Sequence, residues 1–170
     1  MPLGSAEALA LTGMMGSGKS TVAAILGRWL RRRVLSVDGE VVRLAGKPIP
    51  RIFAEDGEPA FRSLERRVVA TAVGPLVLDL GGGAFCDPAS AARLLATARV
   101  FFLDVSPPEA ARRIGGPERG ARPLAARWTA LLATRLPLYR RAHHTVAVDG
   151  LAPEAVARRI VGLLERAEAR

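Results

Sequence analysis

Short apolar, β-prone runs alternate with longer stretches of helical periodicity along the chain. The runs Ala8–Gly13, Val34–Asp38, Leu76–Leu80, Val100–Val105 and Thr145–Asp149 are nearly continuous in apolar residues, the pattern of parallel strands covered on both faces. Between them the spacing predicts helices over Lys19–Arg31, Pro59–Val73, Pro88–Ala96, Pro108–Ile114 and Arg127–Arg141, with a last one over Pro153–Ala169. Proline recurs in the first turn of these helices, where its missing N–H has no intrahelical partner to lose. The alternation predicts a single doubly wound α/β domain over residues 1–170. Ligands of such sheets sit beyond the carboxyl ends of the strands, and Gly13, Asp38, Gly81 and Val105 fall at those ends.

Composition narrows the class. With 49% hydrophobic residues in 170, the chain is long and apolar enough for a real core. The one cysteine, Cys86, forms no internal disulfide and suits a reducing, cytoplasmic location. The opening MPLGSAEALALTGMM carries no basic residue ahead of its apolar stretch. Nor does any apolar run reach the ~18–20 residues that span a bilayer, so neither a secretory signal nor a membrane is expected. The formal charge of +9 raises the question of nucleic acid. However, the basic residues are scattered along the chain and only 5% of residues are aromatic, too few for base-stacking platforms. No nucleic-acid partner is expected. Arginine supplies all the positive side chains except Lys19 and Lys47, and guanidinium suits an anionic small molecule. The apolar content fits within a compact core, and a monomer is expected.

The most specific pattern is GMMGSGKS over Gly13 to Ser20, matching G-x-x-x-x-G-K-[ST] after a predicted strand and before a predicted helix. That context lets backbone N–H groups converge on phosphate at a helix N-terminus. Gly13, Gly16 and Gly18 permit close backbone approach. Lys19 is placed to reach the β- and γ-phosphates and the Ser20 hydroxyl to ligate Mg²⁺, with Ser17 and Thr21 completing the cradle. ATP with Mg²⁺ is the expected donor. No N-K-x-D guanine motif is present.

Three further stretches carry acceptor chemistry. Asp38, at the end of the second predicted strand, is placed to accept hydrogen bonds from substrate hydroxyls or to take the proton of the attacking one, or else to cap a turn. Arg62 and Glu65, three apart on a predicted helix, share a face; a Glu65 that fixes Arg62 leaves its fork free for an anion, whereas a plain surface pair does nothing more. Gly81, Gly82 and Gly83 make backbone available for close approach of a ligand.

GMMGSGKST, VDGE, IPRIFAEDGEPAFRSLE, LGGGA, ARPL and RLPLYRRAH follow the order and rough spacing of the shikimate kinases, and the chain resembles that family from about Leu9 to Pro153. The resemblance implies a three-layer P-loop fold with a five-stranded parallel sheet in the order 2-3-1-4-5. It also implies a substrate-binding subdomain over about 38–65 and a lid over about 115–127. The implied reaction is transfer of the γ-phosphoryl of ATP to the 3-hydroxyl of shikimate, on the chorismate route to aromatic amino acids. By matching motifs, Asp38 holds the shikimate hydroxyls and serves as base. Arg62 and Arg135 clamp the carboxylate, with Glu65 orienting Arg62 and Gly82 adding a backbone contact. Arg122 folds in from the lid, and Arg113 lies against adenine near Pro153.

The chain departs from the pattern in three places. The family's D-x-D at the end of the second strand is here Ser36-Val37-Asp38, so the first carboxylate, which helps to hold Mg²⁺ through water, is missing. Asp79, in LVLDLGGG, is a candidate substitute; pairing with a nearby Arg or backbone is the alternative. The stretch from Arg122 to Arg135 is shorter than usual. His143 and His144 follow the last motif and, as strand neighbours, point oppositely, which disfavours a metal pair. A kinase for another carboxylate-bearing acceptor such as gluconate, a nucleoside monophosphate kinase, and a weakened nucleotide-binding regulator are the competing readings.

Overall fold

Strand β1 (Ala8–Thr12, ALALT) is buried at all five positions, as its unbroken apolar run requires of a strand covered on both faces. The computed structural model describes residues 7–114 and 128–168. Around β1 lie β2 (Val34–Ser36), β3 (Val77–Asp79), β4 (Ala98–Asp104) and β5 (His144–Ala147), in the order β2-β3-β1-β4-β5. Every pairing is parallel. The sheet is the one expected. Leu11 of β1 pairs in register with Asp79 of β3 on one side and Phe101 of β4 on the other. The phosphate loop and the triple glycine therefore leave the sheet side by side.

The helices are α1 (Lys19–Leu30), α2 (Val37–Ala45), α3 (Ile49–Glu55), α4 (Glu58–Thr71), α5 (Pro88–Thr97), α6 (Pro107–Ile114), α7 (Trp128–Tyr139) and α8 (Pro153–Glu168). Among the described residues none is long and apolar enough to cross a membrane. Helix α1 packs against α8, and α2 against α4. The expected lid, about 115–127, and Arg122 within it lie outside the described residues.

One expectation is corrected. The second strand does not run to Asp38: it ends at Ser36, and Asp38 sits in the first turn of α2. Ser36 has extended backbone (φ −80°, ψ 117°) and its Oγ accepts the Gly39 N–H at 3.1 Å, the geometry of an N-cap. Asp38 and Glu40 follow at the positive end of the helix, and Val37 and Val41, four apart, are both fully buried. The apolar pair that reads as the continuation of a strand is the inward stripe of a helix. Helices α2 and α3 were not anticipated; each is short and held by packing on α4.

Removing the cap with Ser36→Ala is expected to lower the unfolding free energy by about 1 kcal/mol, whereas Ser36→Asp, itself a good cap, retains it. Urea denaturation of the three proteins measures the difference.

Candidate active site

The loop between β1 and α1 is shaped by glycine. Gly13 has φ 143°, and a Cβ there would lie 2.6 Å from the Leu103 carbonyl oxygen, so no other residue fits without moving β4. Gly18, with φ 89°, precedes α1 without a side-chain cap, and the first turn of α1 holds no acidic residue. The orphan N–H groups and the positive end of the helix dipole are thereby left for an anion. Lys19 is buried, and its Nζ donates to the carbonyls of Gly13 at 2.9 Å and Met14 at 3.0 Å. Ser20 and Thr21 are exposed on the first turn of α1. Ser17 is buried with an unpartnered Oγ.

Arg113, from the last turn of α6, reaches this loop. It donates to Gly16 O at 3.2 Å, to Val148 O at 3.1 Å and to Glu109 Oε1 at 2.7 Å. Hydrogen bonds from Arg112 and Arg113 pull the Glu109 carboxyl down to about 2. Arg113 thus ties the phosphate loop to Val148, just after β5.

The acceptor side begins with α4, whose buried positions Phe61, Glu65, Val68 and Val69 form one stripe. Glu65 occupies a core position at 1% exposure. Its Oε2 accepts Arg62 Nη1 at 2.8 Å, and its Oε1 has no partner. Burial pushes the Glu65 carboxyl above its ordinary value; Arg62 opposes the rise and the nearby Asp38 carboxylate adds to it. Arg62 also donates to Glu58 at 3.1 and 3.3 Å. Burial alone would lower its pKa, but the two glutamates outweigh that and raise it.

Helix α7 contributes Arg135 and Tyr139, four apart and on one face. Arg135 is only 7% exposed, and its charge helps to hold down the pKa of the buried Glu65 carboxyl. The Tyr139 hydroxyl donates to the Gly82 carbonyl and lies 3.6 Å from Met14 Sδ in the phosphate loop. Its ring stacks on Phe102 at 5.1 Å, and burial raises its pKa. Tyr139 therefore joins the donor loop to the triple glycine. The sequence reading did not single it out; its spacing from Arg135 in RLPLY was the available signal.

The three glycines face four charged groups. A Cβ on Gly81 would lie 2.5 Å from Asp38 Oδ1 and 3.1 Å from Glu65 Oε1, and one on Gly82 would lie 3.1 Å from Arg135 Nη1. One on Gly83 would collide with the Arg62 guanidinium. Beside them a cavity of about 360 Å³, lined by Arg62, Gly83, Cys86, Thr134 and Arg135 among others, falls in the size range of small-molecule sites, ~300–1,000 Å³. Burial raises the Cys86 thiol above its ordinary pKa. His143 Nδ1 accepts the Val100 N–H at 3.0 Å, and His144 stacks on Phe101; both are packed into the β4–β5 end, away from these loops.

Of the residues singled out in the sequence, Gly13, Gly16, Ser17, Gly18, Lys19, Ser20, Thr21 and Arg113 gather at the phosphate loop. Asp38, Arg62, Gly82 and Arg135 gather at the triple glycine on the adjacent strand. A phosphate loop beside a cavity edged by two arginines, on a sheet of this order, defines a P-loop kinase of small molecules.

The comparisons narrow that class. The family model described as shikimate kinase matches residues 15–165. A shikimate kinase of Saccharopolyspora erythraea is 45% identical over 160 residues, covering 89% of this chain and 90% of that protein. One of Limosilactobacillus fermentum is 44% identical over 168 residues, covering 92% and 94%. The solved structure of Acinetobacter baumannii shikimate kinase in complex with shikimate superposes with a TM-score of 0.90 at 32% identity, covering 96% of each chain. The chain belongs to the shikimate kinase family.

Gly83→Ala is expected to push Arg62 out of its place. Because the guanidinium can swing away, the cost falls on its pair with buried Glu65, about 1–3 kcal/mol of stability. A double-mutant cycle in chemical denaturation checks this: the penalty of Gly83→Ala shrinks in an Arg62→Ala background.

Proposed function

We propose that the chain transfers the γ-phosphoryl group of ATP to the 3-hydroxyl of shikimate, the reaction that feeds chorismate and the aromatic amino acids. The observation that carries this reading is Arg135. It is a buried guanidinium that lines a cavity together with Arg62, beside the glycine turn that follows the strand next to the phosphate-loop strand. Two guanidinium groups on one cavity suit an anionic ligand, since a carboxylate accepts two such forks. Family membership supports the same reading, since A. baumannii shikimate kinase has shikimate bound.

Phosphoryl transfer needs positioning and charge stabilisation more than covalent help from the protein. Arg62, fixed by Glu65, and Arg135 hold the acceptor's carboxylate. Asp38, at the Gly81 end of the same turn, receives the hydroxyls and takes the proton of the attacking one. Segment 38–65 is thereby the acceptor-binding part of the chain. The α1 N-terminus and the loop N–H groups hold the phosphates. Lys19 exchanges its bonds to the Gly13 and Met14 carbonyls for the β- and γ-phosphates. Arg113 lies beside the adenine. Mg²⁺, when bound, neutralises phosphate charge; the exposed Ser20 hydroxyl at the head of α1 is the oxygen that fits it. To Arg122, outside the described residues, we assign stabilisation of the transferring phosphoryl group on closure of a lid, which limits wasteful ATP hydrolysis.

An ADP-release assay over shikimate, gluconate and nucleoside monophosphates tests the reading. Turnover with shikimate alone is expected, and ATPase activity indifferent to shikimate sinks it. Arg62→Ala is expected to lower kcat/KM for shikimate by roughly 10- to 100-fold, the value of a charged hydrogen-bonded contact, with ATP affinity largely kept.

A pH dependence follows from Glu65. Its raised pKa means that it takes up a proton above 4.5, releasing Arg62, so the KM for shikimate is expected to rise as pH falls into that range. The folded chain binds this proton more tightly than the unfolded chain does, so protonation of Glu65 favours folding, and the loss of affinity is not unfolding. Glu65→Gln is expected to show a high KM that no longer changes across the same range.

A further inference from the structure

Asp79 closes strand β3 (Val77–Asp79) between two fully or nearly buried apolar residues, Leu78 and Leu80, and is itself 9% exposed. It pairs in register with Leu11, two residues before Gly13, and with Ser36 on the other side. The Leu80 N–H donates to Leu11 O at 3.1 Å, fastening this end of β3 to the strand that carries the phosphate loop. Among the described residues the Asp79 carboxylate makes no hydrogen bond or ion pair. The basic side chains of the site are engaged elsewhere: Lys19 with Gly13 and Met14, Arg62 with Glu58 and Glu65. This chain therefore keeps a carboxylate without a protein partner at the point where its nucleotide loop begins.

The register neighbour makes the placement sharper. Ser36 supplies no charge, and its hydroxyl is committed to the Gly39 N–H as the cap of α2. Among the described residues no three His, Cys, Asp or Glu side chains group into a metal cage. Mg²⁺ does not require one: it keeps several waters and takes one or two protein oxygens beside the substrate phosphates. In P-loop enzymes a carboxylate on the strand next to the loop serves that ion.

We propose that Asp79 is the carboxylate that orients the water shell of the nucleotide's Mg²⁺, with Ser20 its direct protein oxygen. The negative charge next to the loop then comes from β3 rather than from the end of β2. This rests on the reading of ATP–Mg²⁺ as the donor.

The test is calorimetric titration of a non-hydrolysable ATP analogue, with Mg²⁺ and with EDTA, into wild type and Asp79→Asn. Thermal unfolding of the ligand-free proteins and electron paramagnetic resonance of bound Mn²⁺ accompany it. Wild type is expected to bind the analogue more tightly with Mg²⁺. Asp79→Asn is expected to keep its affinity in EDTA, to lose about 10-fold or more of the metal enhancement, and to hold Mn²⁺ more weakly. Its ligand-free melting temperature is expected to stay level, because the Asp79 carboxylate has no protein partner to lose. Unchanged metal enhancement, an equal loss of affinity in EDTA, or a lowered ligand-free melting temperature overturns the assignment. A wild-type chain whose binding ignores Mg²⁺ overturns the donor reading and this one together, whatever its turnover of shikimate.

Discussion

Three consecutive residues without side chains set the architecture of the site. Gly81, Gly82 and Gly83 leave room for Asp38 and Glu65, for Arg135 and for Arg62, each at a distance that a methyl group would violate or crowd. Those groups come from α2, α4 and α7, elements far apart in the chain. Two acids and two guanidinium groups converge on one turn because the turn has no bulk of its own. Close approach also strengthens their mutual interactions, since the surroundings exclude water and the effective dielectric is low.

The second constraint is the adjacency of β1 and β3. Their parallel pairing brings the donor loop and the glycine turn out on the same edge of the sheet, and Tyr139 bridges them from α7 by its contacts with Gly82 and Met14. The phosphate loop and the glycine turn are thus held by rigid elements, the kind of positioning that phosphoryl transfer requires. Arg113 performs the matching task on the far flank, where α6, the phosphate loop and the end of β5 meet.

Much of this was legible in the sequence. The phosphate loop is contiguous, so its motif and the strand and helix around it carry the whole signal. The resemblance to shikimate kinases supplied the sheet order, and the structure has that order. The spacing of Arg62 and Glu65 announced a shared helix face, but only the burial of Phe61 and Val68 shows that Glu65 lies inside. Helices α2 and α3 were hidden because their stability lies in a cap at Ser36 and in packing against α4, neither of which local periodicity reports. The bond from Tyr139 to Gly82 spans 57 residues and leaves no trace in either segment. Asp38 does lie beside Gly81 at the glycine turn, but it was placed on the wrong element, because a buried Val37 looks the same in a strand and in a first helical turn.

The burial of Arg135 has a consequence for discrimination. A site can select a ligand by rewarding its presence or by penalising its substitutes. On the reading proposed above, a neutral molecule of the right shape, entering the cavity in place of a carboxylate, displaces water from the Arg135 guanidinium and offers nothing in return. That penalty is larger than the reward a single surface contact provides, because a desolvated charge left unpaired costs more than a paired one gains. On that reading, an uncharged analogue is rejected at Arg135 before any hydroxyl is read.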